Sequence, residues 1–136
     1  MKNTENEAKL ISAIQSEGGL DLVAIYLFGS FNTAYETTES DADIAVLSKK
    51  RFDMNKRLAL MDVCARALHK DKIDLIDLLS VSTVLKFQIV MNGRRIYCAN
   101  SFLSDSFEMY ALSDYVRLNE ERRDIIAAIQ KRGSVF

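Results

Sequence analysis

The sequence predicts an α+β fold, with a small mixed sheet of three to four strands flanked by helices. Short apolar runs rich in strand-forming residues alternate along the chain with longer stretches that have apolar residues at helical spacing. A chain of 136 residues is long enough for one hydrophobic core but not for two. We therefore expect a single domain over residues 1–136, with its core at 20–100 and a C-terminal helix at 104–130.

The individual elements follow from periodicity and from turn-forming residues. The first helix is predicted over 4–17, where a Gly-Gly pair ends it. Further helices are predicted over 54–69, 82–91 and 104–130. The polar stretch 35–40 is expected to form a surface loop. Strands are predicted at 22–28, 43–47, 72–79 and 95–98.

Three sets of apolar residues are expected in the core. The helix over 54–69 carries one stripe, formed by Met54, Leu58, Met61, Ala65 and Leu68. The C-terminal helix is expected to lie against the sheet through Leu112, Leu118, Ile125 and Ile129. A group of aromatic residues is expected to be mostly core, with part of it free to act as a docking patch: Phe102, Phe107, Tyr110 and Tyr115.

The composition excludes several classes of protein. Lys plus Arg (18) nearly balances Asp plus Glu (19), so no positive field is present to hold nucleic acid, and no direct nucleic-acid binding is expected. No apolar stretch approaches the roughly 20 residues that span a bilayer, so a cytoplasmic protein is expected. Cys64 and Cys98 lack partners at metal spacing and are expected to be free thiols. One histidine, His69, at a predicted helix end leaves no basis for a catalytic triad or a histidine zinc site.

The residues that could carry chemistry lie at the ends of the predicted strands. Gly29-Ser30 ends the first strand, where backbone N–H groups and a hydroxyl can meet phosphate oxygens. Asp41 and Asp43 share one face of the second strand, so their carboxylates can converge on Mg²⁺. Two metals that clamp an in-line phosphoryl displacement are best held by three carboxylates. Asp74 and Asp77 are both candidates for the third, and strand alternation places them on opposite faces.

The spacing of these residues resembles a known signature. Gly29-Ser30, ten residues, then Asp41-x-Asp43 is similar to the motif of nucleotidyltransferases related to DNA polymerase beta, and the resemblance covers residues 22–98. It implies the polymerase beta-like palm fold, two Mg²⁺ ions, and ATP as substrate. It also implies Asp41, Asp43 and Asp74 as catalytic, metal-binding residues, with Gly29 and Ser30 as nucleotide-binding residues. Asp74 is preferred to Asp77 because residues 73–76 follow the family's pattern of an apolar residue, Asp and two apolar residues.

The chain departs from the family's pattern at one place. Family members often carry a small residue, Arg and Gly shortly after the Gly-Ser, whereas residues 31–34 here are Phe-Asn-Thr-Ala. A phosphate-binding arginine would have to come from elsewhere, for instance Arg94 or Arg95. As surface residues, those two are otherwise expected to be solvated and without partners.

The short length adds a second resemblance. Stand-alone nucleotidyltransferases of this size resemble the antitoxins of HEPN/MNT toxin-antitoxin pairs, which implies transfer of AMP from ATP to a tyrosine hydroxyl of a HEPN ribonuclease toxin within a hetero-oligomer. We expect the C-terminal helix to help hold the toxin. The alternatives are a non-catalytic antitoxin that occludes its toxin, and an enzyme acting on a small-molecule acceptor, although the chain has no second domain for such a substrate.

Overall fold

The computed structural model describes residues 2–29 and 42–133. The helices and strands predicted within these ranges are present, with ends shifted by only a few residues. The predicted loop at 35–40 lies outside the described residues. The observed elements are α1 (Lys2–Gly18), a 3-10 turn (Gly19–Asp21), β1 (Leu22–Phe28), β2 (Ala42–Ser48), α2 (Met54–Leu68), β3 (Ile73–Asp77), α3 (Thr83–Asn92), β4 (Arg94–Cys98) and α4 (Ser101–Gly133).

The four strands form one mixed sheet in the order β3-β2-β1-β4. β1 is antiparallel to both β2 and β4, whereas β2 and β3 are parallel. Parallel neighbours need a long crossover connection, and α2 supplies it. The predicted α+β class with a small mixed sheet is confirmed, and β3 and β4 are its edge strands.

The first core lies between one face of the sheet and helices α1 and α2. It includes the buried residues Leu10, Ile14, Ile25, Leu27, Ile44, Val46, Leu60, Cys64, Ile73 and Leu75. The stripe predicted for α2 was partly wrong, because Met54 and Leu58 are more than half exposed. The buried line runs through Leu60 and Cys64, and Leu58 lies about 200° from Leu60 around the helix at roughly 100° per residue. Met61, Ala65 and Leu68 flank that line and are partly buried.

The second core lies on the opposite face, under α3 and the first half of α4. It contains Val23, Ala24, Tyr26, Ala45, Leu47, Leu78 and Ile89. The phenol of Tyr26 is hydrogen-bonded to Ser104 Oγ at 3.1 Å, which joins β1 to α4. The Phe87 and Tyr115 rings stack with their centroids 3.7 Å apart, which joins α3 to α4.

The second half of α4 does not lie against the sheet, contrary to expectation. Ile125 and Ile129 are 59% and 61% exposed, and Leu112 is 37% exposed. Every residue from 120 to 132 is exposed. Helix α4 passes the start of α3 near Thr83, which lines a shallow cavity together with Leu118. Beyond that point no element in the described part of the chain covers α4.

The aromatic group on α4 divides into a packed half and an exposed half. Phe107 and Tyr115 are partly buried, as expected of core residues. Phe102 and Tyr110 are 77% and 63% exposed, so the expectation of core was wrong for them. The exposed pair forms an apolar surface at the start of the helix, next to Met109.

Local signals account for the ends of α2. Asp53 caps its first turn, where the carboxylate accepts a hydrogen bond from the Lys56 backbone N–H at 2.7 Å. His69 ends the helix in the left-handed conformation, with φ at 53°, so its predicted place at a helix end is confirmed. Cys64 and Cys98 are both free thiols, as predicted. None of the described helices combines the length and apolar character needed to cross a membrane.

Candidate active site

Gly29 and Asp43 meet where β1 ends and β2 begins. Phe28, the last residue of β1, pairs with Asp43 across the antiparallel ladder, and Gly29 follows it with φ at 75°. A Cβ atom at Gly29 would overlap the Oδ2 atom of Asp43. Both the backbone conformation and the close approach therefore require glycine at this position.

Asp43 and Asp74 are direct neighbours on parallel strands. They are register partners in the β2–β3 ladder, and adjacent strands lie about 4.8 Å apart. Both follow the alternation of residues in the second core, Ala45 on β2 and Ile76 on β3, so both side chains lie on the sheet face that carries α3 and α4. Asp43 is half-buried and Asp74 is exposed. Two carboxylates are thus held side by side at the edge of a packed core.

Asp77, the other candidate for the third acid, lies on the opposite face and has a structural role. Its carboxylate accepts hydrogen bonds from the Phe52 N–H at 2.9 Å, the Leu79 N–H at 3.1 Å and the Ser80 hydroxyl at 2.9 Å. Asp77 is 7% exposed. It joins the start of α2 to the turn after β3, and its acceptor positions are occupied by protein donors. This geometry favours Asp74 as the third acid.

Two of the predicted site residues, Ser30 and Asp41, lie outside the described residues. Their roles therefore remain predictions. Within residues 2–29 and 42–133, no group of three or more His, Cys, Asp or Glu side chains is placed to hold a metal ion. Asp43 and Asp74 are the two members of the predicted carboxylate trio that the structure describes. Their carboxylate oxygens are the donors that Mg²⁺ prefers.

The two arginines considered as phosphate ligands are exposed, as expected, but both are held in ion pairs, so the expectation that they lack partners was wrong. Arg94 pairs with Glu7 of α1. Arg95 donates to Ser104 Oγ at 2.8 Å and pairs with Asp105 at 2.9 Å and Glu108 at 3.2 Å. The hydrogen bond to Asp105 is the main cause of a raised pKa for Arg95. These contacts direct the two guanidinium groups toward α1 and α4, the helices that flank β4.

A cavity of about 390 Å³ adjoins Asp74 and was not expected from the sequence. Met61 and Ala65 of α2 line it together with Lys72 and Ile73 of the β3 segment. The apolar periodicity of α2 assigned Met61 and Ala65 to the core stripe, and periodicity alone does not separate a core position from a cavity wall. The sequence signal closest to this feature is the charged pair at 71–72, which immediately precedes β3.

The site residues form a line across three adjacent strands. Gly29 ends β1, Asp43 begins β2, and Asp74 lies near the start of β3. Glycine at position 29 lets the Asp43 carboxylate approach the backbone closely, and carboxylates on neighbouring strands can hold a hard cation beside it. This order suits the transfer of a phosphoryl-type group from a donor on the β1 side to an acceptor on the β3 side.

Comparison with known proteins identifies the family. Protein adenylyltransferase MntA of Shewanella oneidensis is 37% identical over 121 residues, which cover 89% of this chain and 85% of that protein. A toxin-antitoxin crystal structure with AMP-PNP matches at TM-score 0.78 and 36% identity, covering 92% of this chain and 98% of the other. A tri-AMPylated HEPN toxin of S. oneidensis in complex with MNT antitoxin matches at TM-score 0.75 and 35% identity, covering 94% and 98%. Residues 8–102 match the family described as Polymerase beta, Nucleotidyltransferase. The chain belongs to the polymerase beta family of nucleotidyltransferases.

Proposed function

We propose that this protein transfers AMP from ATP to a tyrosine hydroxyl of a partner HEPN toxin and neutralises it as an antitoxin. The observation that carries the proposal is the pairing of Asp43 with Asp74 on parallel strands, next to the glycine that closes β1. The related MntA is a protein adenylyltransferase, and a solved relative is bound to a tri-AMPylated HEPN toxin. The proposed substrate and partner are those of these two relatives.

Each site residue has a role in the proposed reaction. Asp41, Asp43 and Asp74 would hold two Mg²⁺ ions, and Gly29 and Ser30 would contact the nucleotide phosphates. Asp41 precedes Asp43 by two residues, so the strand alternation predicted from the sequence would place it on the same face. Bound Mg²⁺ would neutralise charge on the phosphates during the displacement. Asp74, at the end of the line farthest from Gly29, would orient the acceptor hydroxyl.

The exposure of the site suits a macromolecular acceptor. Asp74 is exposed on an edge strand, and Asp43 beside it is only half-buried. A small acceptor would gain little from so open a site, because small ligands are usually held in clefts that enclose most of their surface. A partner protein can instead complete the cleft from outside. The use of ATP and the two free cysteines support a cytoplasmic location.

A binding role for α4 accompanies the proposed catalysis. Its exposed apolar side chains include Phe102, Met109, Tyr110, Ile125 and Ile129. Exposed apolar surface of this kind often marks a protein contact. The occlusion alternative rests on the same surface, since an antitoxin could bind through α4 and block its toxin without modifying it.

The mass of the toxin distinguishes catalysis from occlusion. We expect the partner HEPN toxin to gain adenylate increments when the two proteins are co-expressed, as measured by intact mass spectrometry. The double variant Asp41→Asn, Asp43→Asn should bind the toxin but leave its mass unchanged and its ribonuclease active. Asp53→Asn is the matched control, because asparagine caps a helix as well as aspartate does and residue 53 lies away from the site. A toxin that is silenced at its unmodified mass would establish occlusion instead.

A further inference from the structure

Phe28 is an aromatic residue that lies beside the paired carboxylates. It is the last residue of β1 and the register partner of Asp43, so the two side chains project from the same face of the sheet. The Cβ atoms of directly paired residues in an antiparallel ladder are about 4.5–5.5 Å apart. Because Asp43 also pairs with Asp74, the three side chains form one row across β1, β2 and β3. The row therefore begins with an aromatic ring on β1 and continues with two carboxylates.

Phe28 is also the residue of β1 that reaches the surface. The residues before it in the strand, from Leu22 to Leu27, are all buried, whereas Phe28 is only partly buried. Its side chain packs against the second core, which holds the ring in place. An aromatic ring that is held by a core and is still partly exposed can receive a flat group by stacking.

The end of α3 lies next to the end of β1. A Cβ atom at Gly93, the residue after α3, would lie 3.0 Å from the carbonyl oxygen of Leu27, which immediately precedes Phe28. The carboxyl end of a helix carries partial negative charge and disfavours phosphate groups. The two arginines that follow Gly93 are paired with acidic residues of α1 and α4. The surroundings of Phe28 therefore suit an uncharged group better than a phosphate.

The chemistry of AMP transfer needs three separate places around the reacting phosphate. The α-phosphate of ATP carries the nucleoside and the pyrophosphate, and the acceptor hydroxyl attacks in line with the pyrophosphate that leaves. In the proposed reaction the acceptor lies beside Asp74, and the phosphates contact Gly29 and Ser30. The nucleoside needs a third place, and Phe28 offers apolar surface next to Asp43 on the same face of the sheet.

We propose that the Phe28 ring stacks on the adenine base of ATP and so holds the nucleoside beside the carboxylates. The inference rests on the proposed function, since it assigns the nucleoside contact of the same site. Every base has a flat π face, so an aromatic side chain stacks on it without requiring a particular pattern of hydrogen bonds. Phe28 thus adds affinity for the nucleoside, while the phosphates are left to Gly29 and Ser30.

A tryptophan at position 28 tests the contact directly. The chain contains no tryptophan, so Phe28→Trp introduces a single fluorophore that a stacked adenine quenches. We expect MgATP to quench the emission. Mg-tripolyphosphate, which has no base, should leave it unchanged at concentrations that calorimetry shows to be saturating. Quenching by both ligands alike, or by neither, would refute the contact.

Phe107→Trp is the matched control for the fluorescence experiment. Phe107 is a partly buried aromatic residue that packs against the same core as Phe28. It lines a cavity with Val23 and Leu47, which lie at the other end of β1 and β2. Its tryptophan variant should therefore give the same emission with and without MgATP.

Phe28→Leu measures affinity and does not depend on the tryptophan variant being folded. Leucine keeps an apolar side chain against the core but removes the ring. We expect the Kd for MgATP to rise about tenfold and the Kd for Mg-tripolyphosphate to stay the same. If both constants rise equally, the ring acts only by supporting Asp43 and the proposal fails. An unchanged Kd for MgATP would refute it as well.

The mass of the co-expressed toxin separates this inference from the proposed function. Quenching by MgATP without adenylate on the toxin would support the nucleoside contact and refute the proposed function. Adenylate on the toxin without quenching would refute the contact and leave the function standing. A protein that binds no ATP would refute both.

Discussion

Asp43 and Asp74 are register partners in the parallel β2–β3 ladder and project from the same face of the sheet, whereas Asp77, three residues further along, projects from the other face. The same short strand therefore carries one aspartate that is exposed beside another carboxylate and one that is buried among protein donors. Residues of identical chemistry are given different roles by strand alternation alone.

Substitutions of Asp74 and of Asp77 should separate an effect on catalysis from an effect on stability. Asp74→Asn removes an exposed charge, so we expect AMP transfer to fall by two orders of magnitude or more while the free energy of unfolding changes by no more than about 0.5 kcal/mol. Asp77→Ala leaves the partly buried hydrogen bonds from Phe52 and Ser80 without their acceptor and should cost about 1–3 kcal/mol. Urea unfolding and a transfer assay on both variants measure the two effects. An inactive but fully stable Asp77→Ala protein would reverse the assignment.

Gly29→Ala is expected to disturb the site directly. The added methyl group would overlap the Asp43 carboxylate, and φ at 75° is unfavourable for alanine. We expect loss of nucleotide binding together with a destabilisation of about 1–2 kcal/mol. Gly19→Ala is the control for the backbone effect, because Gly19 also has a positive φ, of 64°, but its Cβ would meet no atom within 4 Å. Equal nucleotide affinity in the two variants would show that the contact with Asp43 is unimportant.

Much of the fold could be predicted because its signals are local. The capping aspartate of α2, the apolar run of β1 and the period-2 pattern around Asp43 depend on residues close together in sequence. The pairing of Asp43 with Asp74 could not be derived in this way, because a sequence does not state which strands are neighbours or in which register. The choice between Asp74 and Asp77 needed the family's pattern at the sequence level, and the hydrogen bonds of Asp77 now support it on physical grounds.

The prediction for α4 was wrong for a different reason. Ala111, Tyr115 and Leu118 lie on one face of α4 that packs against the protein as far as α3 extends. Ile125 and Ile129 continue the same helical spacing beyond that point. Helical periodicity reports that a face is apolar, but it does not report whether the surface that covers it belongs to the same chain. The same limit explains why Met61 and Ala65 were assigned to the core and not to a cavity wall.

The exposed end of α4 should contribute to toxin binding without contributing to stability. Removing the whole helix from Ser104 would not test this, because Ser104 and Ala111 are buried against the sheet. The double variant Ile125→Lys, Ile129→Lys changes only exposed positions, and we expect unfolding within about 0.5 kcal/mol of the unaltered protein but at least tenfold weaker toxin binding. Ala127→Lys, on the opposite side of the helix, is the control. If calorimetric titration finds the same toxin affinity for the unaltered protein, the double variant and the control, this surface is excluded as a toxin-binding site.

The buried thiol of Cys64 should make stability fall at alkaline pH. Burial raises the pKa of Cys64 from 9.0 to about 12, because the core disfavours the thiolate. Above pH 9 the unfolded chain loses this proton while the folded protein keeps it, so the stability that is fully present below pH 9 is lost as the pH rises toward 12. The loss has a slope of about 1.4 kcal/mol per pH unit. Cys64→Ala lacks this proton, so the difference in unfolding free energy between the two proteins should narrow by about 1.4 kcal/mol between pH 8 and pH 10. Urea titrations at both pH values measure that difference, and a constant value would mean that the folded thiol ionises as readily as the unfolded one.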